Sequence, residues 1–184
     1  MSLDNLVKTI NNKKINLTEE MILERFLDRM RWPKEYHDGQ PSLECIDEKG
    51  IKNQDFFKQD GYLDSEKCIK TYEEGYTLIL SNCGGLTRDI WIIQQLINSY
   101  CKSFRNCNLY LGSGRKSVSF PKHTHDYAVL VKNIYGESEW FIGGEKRTLK
   151  NQDCLFFDKN TEHEVINIES SKLSLTCDLG NIIG

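Results

Sequence analysis

Three of the four histidines in this chain have the spacing of a metal site. His123 and His125 are separated by one residue. Because side chains in a β-strand alternate between its two faces, these two imidazoles would point the same way on one strand. The imidazole of His163, on a neighbouring strand, would complete a three-ligand site with open positions for water, oxygen or a substrate. The spacing therefore predicts a metal centre with His123, His125 and His163 as ligands.

The strands that would position these ligands fill the second half of the sequence. From Asn106 onward, short runs rich in β-branched and aromatic residues follow one another closely. The runs cover residues 108–111, 127–135, 140–142, 147–149, 154–157, 164–168 and 173–177. Gly143 and Gly144 lie between two of them and form a two-residue hairpin signal. Helices first and strands afterwards predict a barrel or sandwich backed by helices.

The first part of the chain predicts helices and loops. Residues 1–12 are polar, and we expect them to be frayed. A helix then begins after Thr18, whose hydroxyl can cap it, and ends before Pro33. We interpret residues 36–72 as loops with one or two short elements.

A buried strand and a second helix precede the β-rich half. Residues 77–80 are continuously apolar after Thr77, and Thr87 can open the helix. This helix carries Trp91 and Tyr100, and it could pack on the barrel or form a homodimer. The sequence leaves both alternatives open.

Length and composition predict one domain, divided into a helical and loop region (1–74) packed on a barrel (75–184). The net charge of −3 gives no reason to expect nucleic acid or an anionic membrane as partner. Seven cysteines without a CxxC pair argue against a disulfide framework, so we interpret most as buried small apolar residues. Without a signal peptide or a long apolar stretch, we expect a cytoplasmic protein.

The sequence around the first two histidines resembles the first signature block of the cupin superfamily. His123 and His125 have the block's H-x-H spacing, Val129 stands where the block has glutamate, and Gly136 is retained. The resemblance implies a double-stranded β-helix barrel (the cupin, or jelly-roll, barrel) preceded by an N-terminal helical region.

The second cupin block is kept in spacing around the third histidine. His163 and Asn167 are identical to the block, whereas Gln152 and Asn160 stand where it has glycines. Asn is the non-glycine residue best able to adopt a left-handed turn, so Asn160 is a physically reasonable replacement.

A closer resemblance is to the jumonji (JmjC) branch, including bacterial ribosomal-oxygenase-like cupins. The residues that match the jumonji pattern are 75–79, 108–110, the histidine pair, and Gly136 followed by Trp140. The resemblance implies a non-haem Fe(II) oxygenase or hydroxylase with 2-oxoglutarate as co-substrate, acting on a small molecule or a peptide or protein side chain.

Two departures from the jumonji pattern keep other functions open. His125 occupies the place of a metal-binding carboxylate, and Ser138 that of the cation that pairs with 2-oxoglutarate. Arg147 or Lys172 would have to supply this cation from elsewhere. The alternatives are a three-His dioxygenase that does not use 2-oxoglutarate and a non-catalytic cupin that binds a metal (Zn or Ni instead of Fe) or a small ligand.

Six further residues are predicted to line the pocket. Tyr127 and Asn133 share the strand face of the histidine pair, and the others stand at positions that resemble the family's pocket. The predicted pocket residues are Tyr110, Phe120, Tyr127, Asn133, Ser138 and Asn167. For the aromatic residues, core packing is the alternative explanation.

Overall fold

The computed structural model describes residues 2–27, 42–47, 49–101, 104–114, 119–167 and 170–180. The helices are α1 (Leu3–Asn11), α2 (Glu19–Leu27), α3 (Ser65–Glu73) and α4 (Arg88–Asn98). The strands are β1 (Ser42–Ile46), β2 (Lys52–Asn53), β3 (Thr77–Ser81), β4 (Phe104–Gly112), β5 (Ala128–Tyr135), β6 (Ser138–Ile142), β7 (Glu145–Leu149), β8 (Cys154–Phe157), β9 (His163–Asn167) and β10 (Lys172–Leu179). No helix in these ranges has the length and apolarity needed to cross a membrane.

Two antiparallel sheets form the body of the protein. The larger has the strand order β2-β1-β3-β4-β10-β5-β8, and the smaller has the order β7-β6-β9. Every run predicted as a strand in the second half overlaps an observed strand, and the predicted Gly-Gly turn joins β6 to β7. β1 comes from the stretch interpreted mainly as loops, and it pairs along its whole length with β3. The division at residues 74 and 75 stays a prediction.

The predicted frayed start is wrong, because these residues form α1. Ser2 caps the helix by accepting a hydrogen bond from the Asn5 N–H. Apolar side chains recur at helical spacing, at Leu3, Leu6, Val7 and Ile10. Leu6 and Ile10 are fully buried. The buried Lys132 ammonium donates to the Asn11 carbonyl oxygen at 2.9 Å, which ties the end of α1 to the barrel.

The two predicted helix starts are confirmed. The Thr18 hydroxyl accepts from the Met21 N–H at the start of α2, and Thr87 accepts from the Ile90 N–H at the start of α4. The predicted end of α2 at Pro33 lies outside the described residues. Trp91 on α4 is 52% exposed, and its role in a dimer stays a prediction.

The cysteines are all free, and six of the seven are buried. Burial raises the pKa of both Cys45 and Cys68 to about 12, so these two thiols stay protonated. Their interpretation as small apolar core residues is consistent with this burial.

The turn between β5 and β6 requires a glycine. Gly136 has φ +75°, and a Cβ there would lie 2.2 Å from the Ser171 carbonyl oxygen. Gly144 also has a positive φ (+90°), but a Cβ there would meet nothing within 4 Å. We expect Gly136→Ala to lower the free energy of unfolding by about 3 kcal/mol or more, and Gly144→Ala by only about 1 kcal/mol. Urea denaturation of both variants checks this, and equal losses would contradict it.

Candidate metal centre

His123 and His163 face each other across an isolated antiparallel β-bridge. The backbone N–H of each donates to the carbonyl oxygen of the other, at N···O distances of 3.1 and 3.0 Å. Directly opposed residues of an antiparallel pair place their side chains on the same face. The two imidazoles are therefore held together, with ring centroids 4.4 Å apart.

A turn after β8 sets His125 beside this pair. The Asn160 N–H donates to the His125 carbonyl oxygen at 2.7 Å, and Asn160 has the left-handed φ of 61° that its place in the sequence predicted. Gln152, at the other glycine position, also has a positive φ of 67°. The His125 ring centroid lies 4.7 Å from that of His123 and 5.1 Å from that of His163.

Hydrogen bonds orient two of the three imidazoles. His123 Nδ1 lies 2.7 Å from the Pro121 carbonyl oxygen, and His163 Nδ1 lies 2.9 Å from the Thr161 carbonyl oxygen. Because a carbonyl oxygen only accepts, each Nδ1 carries the proton and donates it. Nε2 of each ring then has a free lone pair, as in metal-binding histidines.

The three rings bring their nitrogens close enough to share one ion. One ring nitrogen from each of His123, His125 and His163 lies within 4.8 Å of the others. Imidazole donors suit Fe, Zn and Ni, whereas Mg and Ca prefer oxygen. The donor set therefore fits a divalent transition metal.

Burial favours the neutral form of His125 and His163. Burial, followed by the proximity of His123 and His163, lowers the pKa of His125 to about 4. Burial also lowers the pKa of His163, although its hydrogen bond to Thr161 acts in the opposite direction. Because only neutral imidazole binds a metal, a ring that is neutral at pH 7 binds without first losing a proton.

The histidines open onto a cavity of about 610 Å³, a volume typical of small-molecule sites. Each imidazole has an aromatic neighbour in the wall: Phe120 beside His123, Tyr127 stacked on His125 and Phe157 beside His163. Val129 and Val131 of β5 also line the cavity. The wall around the three rings is therefore largely apolar.

The last strand, β10, has one face in the core and the other in the cavity. Its buried apolar residues are Leu173, Leu175, Cys177 and Leu179. Its cavity-lining residues are Lys172, Ser174, Thr176 and Asp178. Of the polar face, sequence reasoning named only Lys172. The strict polar and apolar alternation is the signal that marks the rest.

Three of the six predicted pocket residues line the cavity, namely Tyr110, Phe120 and Tyr127. Asn133 does not, because its side-chain N–H groups donate to the carbonyl oxygens of Gly136 and Lys150, at 2.6 and 3.1 Å. The Asn133 side chain instead stabilises the turn after β5. The Asn167 backbone pairs with Glu139 of β6, but the Asn167 side chain lies outside the described part of the structure.

Ser138 stands where the jumonji pattern has a cation, and the structure places a cation of another strand, Lys172, at the cavity. Ser138 lies outside the described cavity lining, and its hydroxyl accepts from the Trp140 indole N–H at 2.9 Å. Lys172 lines the cavity, with its Nζ 5.7 Å from the Trp140 ring centroid. Arg147 is exposed and ion-paired with Glu145 at 2.5 Å, and it does not belong to the described lining. Of the two candidate cations, Lys172 is the one at the cavity.

Comparison with known proteins supports the fold. Residues 115–177 match the family described as the cupin domain. The ribosomal oxygenase YcfD from Escherichia coli superimposes with a TM-score of 0.63 over 92% of this chain and 45% of its own, at 11% identity. The fold is that of a cupin.

Two further solved structures are similar to this chain. YcfD in complex with cobalt and succinic acid has a TM-score of 0.62 and 12% identity, over 92% of this chain and 45% of its own. The DMSP lyase DddQ from Ruegeria pomeroyi has a TM-score of 0.36 and 19% identity, over 41% of this chain and 38% of its own. The chain thus spans less than half the length of these proteins. No curated protein matches the sequence at a significant level.

Proposed function

We propose that this cupin is a metal-dependent oxygenase of the jumonji-like type, in which His123, His125 and His163 hold Fe(II). The observation that supports it is the set of three imidazoles whose nitrogens converge to within 4.8 Å on the wall of one cavity. The substrate is a small molecule or a side chain of a peptide or protein. The YcfD complex contains cobalt and succinic acid, which is the combination of divalent metal and dicarboxylate that this proposal requires.

The residues around the site would position the ligand and exclude water. Bound iron would supply the redox chemistry with oxygen, while the barrel supplies binding and orientation. The carbonyl oxygens of Pro121 and Thr161 keep the rings of His123 and His163 in the tautomer that binds metal. The stacked Tyr127 ring restricts rotation of His125.

The test combines metal loading with turnover. The full chain is reconstituted anaerobically with Fe(II), its iron content is measured, and oxygen consumption and succinate formation are followed with 2-oxoglutarate. We expect one iron per chain and uncoupled succinate formation even without the native substrate. Stoichiometric zinc or nickel with no oxygen consumption under any condition would instead identify a non-catalytic metal-binding cupin.

A second candidate is a three-His dioxygenase that binds its substrate directly to iron. Two observations favour it: His125 replaces the carboxylate ligand, and Ser138 replaces the usual cation. Three neutral ligands leave the charge of a divalent ion uncompensated, which favours an anionic substrate as the next ligand. Oxygen consumption with a thiol or diol, and none with 2-oxoglutarate, would distinguish this reaction.

A further inference from the structure

His125 is held differently from the other two imidazoles of the metal centre. His123 and His163 each donate a hydrogen bond from Nδ1 to a backbone carbonyl oxygen. Within the described ranges, no hydrogen bond joins the imidazole of His125 to another residue. Rotation of a histidine ring about its Cβ–Cγ bond has only broad intrinsic preferences. The orientation of this third ligand therefore depends on how its ring packs.

The ring of Tyr127 lies flat against the His125 imidazole. The two planes are 11° apart, and the ring centroids are 4.6 Å apart. Every other ring contact described for the three histidines has an interplanar angle of 45° or more. Rotation of the imidazole out of the parallel arrangement would drive its edge into the Tyr127 ring, so the stack limits that rotation.

Arg105 at the start of β4 in turn holds the Tyr127 ring. The guanidinium carbon of Arg105 lies 4.8 Å from the Tyr127 ring centroid, which is within the range of a cation–π contact. Nη1 and Nη2 of Arg105 donate to the two carboxylate oxygens of Asp126, at 3.0 and 3.3 Å. A two-point hydrogen bond of this kind fixes both the position and the plane of the guanidinium. Asp126 lies between His125 and Tyr127 in the chain, so the ion pair and the stack fasten one short segment to β4.

We propose that Arg105 and Tyr127 are positioning residues of the metal centre, which hold the His125 imidazole in its metal-binding orientation through a stack of guanidinium, phenol and imidazole. The side chains of the ion pair are 49% and 76% exposed, so the pair itself adds little to the stability of the fold. Its effect is expected on the geometry of the site. The inference rests on the metal site of the proposed function and not on the oxygenase reaction.

The position of His125 in the jumonji pattern explains why such a stack is needed. The pattern has a carboxylate there, and a carboxylate can offer either of two equivalent oxygens to a metal. An imidazole must instead direct one nitrogen lone pair, in the plane of its ring, at the ion. A histidine at this position therefore requires an orienting contact that a carboxylate does not.

Co(II) binding tests the proposal without turnover. The full chain is stripped of metal and titrated anaerobically with Co(II), whose affinity is measured by competition with a chelator and whose geometry is read from its visible absorption bands. Tyr127→Leu removes the stacked ring, whereas Tyr127→Phe keeps the ring and removes only the hydroxyl. Arg105→Met removes the guanidinium. The matched control is Arg147→Met, which removes an exposed arginine that is ion-paired with Glu145.

We expect Tyr127→Leu to weaken Co(II) binding about 10- to 100-fold and Arg105→Met about 3- to 10-fold, with altered absorption bands in both. Tyr127→Phe and Arg147→Met keep the wild-type affinity and spectrum. A merely structural role would lower the melting temperature and leave the spectrum of the folded, Co(II)-bound protein unchanged. Wild-type affinity and spectrum in Tyr127→Leu or in Arg105→Met overturn the proposal.

A double-mutant cycle isolates the route through His125. A His125→Asp chain has no ring to stack, so Tyr127→Leu and Arg105→Met should change its Co(II) affinity less than about 2-fold. The full loss of affinity in that background would show that the two residues act on the barrel, and it would overturn the proposal. If His125→Asp binds no Co(II), the contrast between Tyr127→Phe and Tyr127→Leu in the wild-type chain decides alone.

The outcome for the oxygenase is separate. A chain whose Co(II) site depends on Arg105 and Tyr127, but whose iron-loaded form consumes no oxygen, removes the oxygenase and leaves this inference standing. Oxygen consumption by a chain whose Co(II) site is indifferent to both residues does the reverse. A wild type that binds no Co(II) overturns the metal centre and this inference with it.

Discussion

Replacing His163 with alanine is expected to abolish stoichiometric metal binding. His163 is 4% exposed and lies directly opposite His123, so its replacement leaves two of the three converging imidazoles. Loss of an outer-shell partner of a metal ligand already costs roughly 10- to 100-fold in affinity, so loss of the ligand itself should cost more than about 100-fold. Competition with a chelator of known affinity measures this, using Fe(II) or its substitute Co(II).

The matched variant for this experiment is His125→Asp. It keeps three donors and converts the set to two histidines and one carboxylate, so we expect it to retain metal. Circular dichroism of each variant checks that the barrel is still folded. If His163→Ala binds metal as tightly as the wild type in a folded barrel, the three histidines are not the metal centre.

Substitution of Asp178 by asparagine is expected to stabilise the protein strongly at alkaline pH. Burial raises the pKa of Asp178 from 3.8 to about 7, and the positive charges of Lys52 and Arg105 act in the opposite direction. Between these two values the folded state holds the proton more tightly than the unfolded state, so stability falls as pH rises from about 4 to 7. Above pH 7 the buried carboxylate is charged, and the resulting loss in the free energy of unfolding is at most about 4 kcal/mol.

Urea denaturation at pH 4, 6 and 9 measures this effect. The free energy of unfolding of Asp178→Asn should be close to that of wild type at pH 4 and should exceed it by up to about 4 kcal/mol at pH 9. Asp4→Asn, which removes an exposed carboxylate of α1, is the control for a general change in net charge. A gain that does not depend on pH would show that Asp178 is not held at a raised pKa by burial.

The candidate metal site was predictable because part of its geometry is local. His123 and His125 are two residues apart, and their side chains point to a common site, as the spacing required. The left-handed turn at Asn160 was also predicted, because Asn160 stands where the cupin block has glycine, whereas the positive φ of Gln152 was not. The β-bridge between His123 and His163 could not be predicted from local rules, because it depends on how β9 pairs with the segment before β5.

The errors have physical causes as well. The polarity of residues 1–12 predicts a frayed start, whereas the apolar spacing of Leu6 and Ile10 buries one face of α1. Strand β1 was obscured by its short length, yet its pairing with β3 brings Glu44 to the cavity. Asn133 was expected to share the strand face of the histidines, but its amide donates to the carbonyl oxygens of Gly136 and Lys150, and these hydrogen bonds hold it away from the cavity.

By itself, the sequence predicted that three histidines converge on one candidate metal site and that closely spaced strands build a barrel or sandwich around it. Both follow from periodicity and spacing, which act over a few residues. Only the tertiary structure decided which cation reaches the cavity, since Arg147 and Lys172 are equally plausible from the sequence. The choice depends on the pairing of β10 with β4 and β5, which turns Lys172 inward, whereas the β6–β7 hairpin leaves Arg147 exposed. Such pairings join residues that are far apart in the chain. Spacing alone therefore could not reveal which charged side chain lines the cavity.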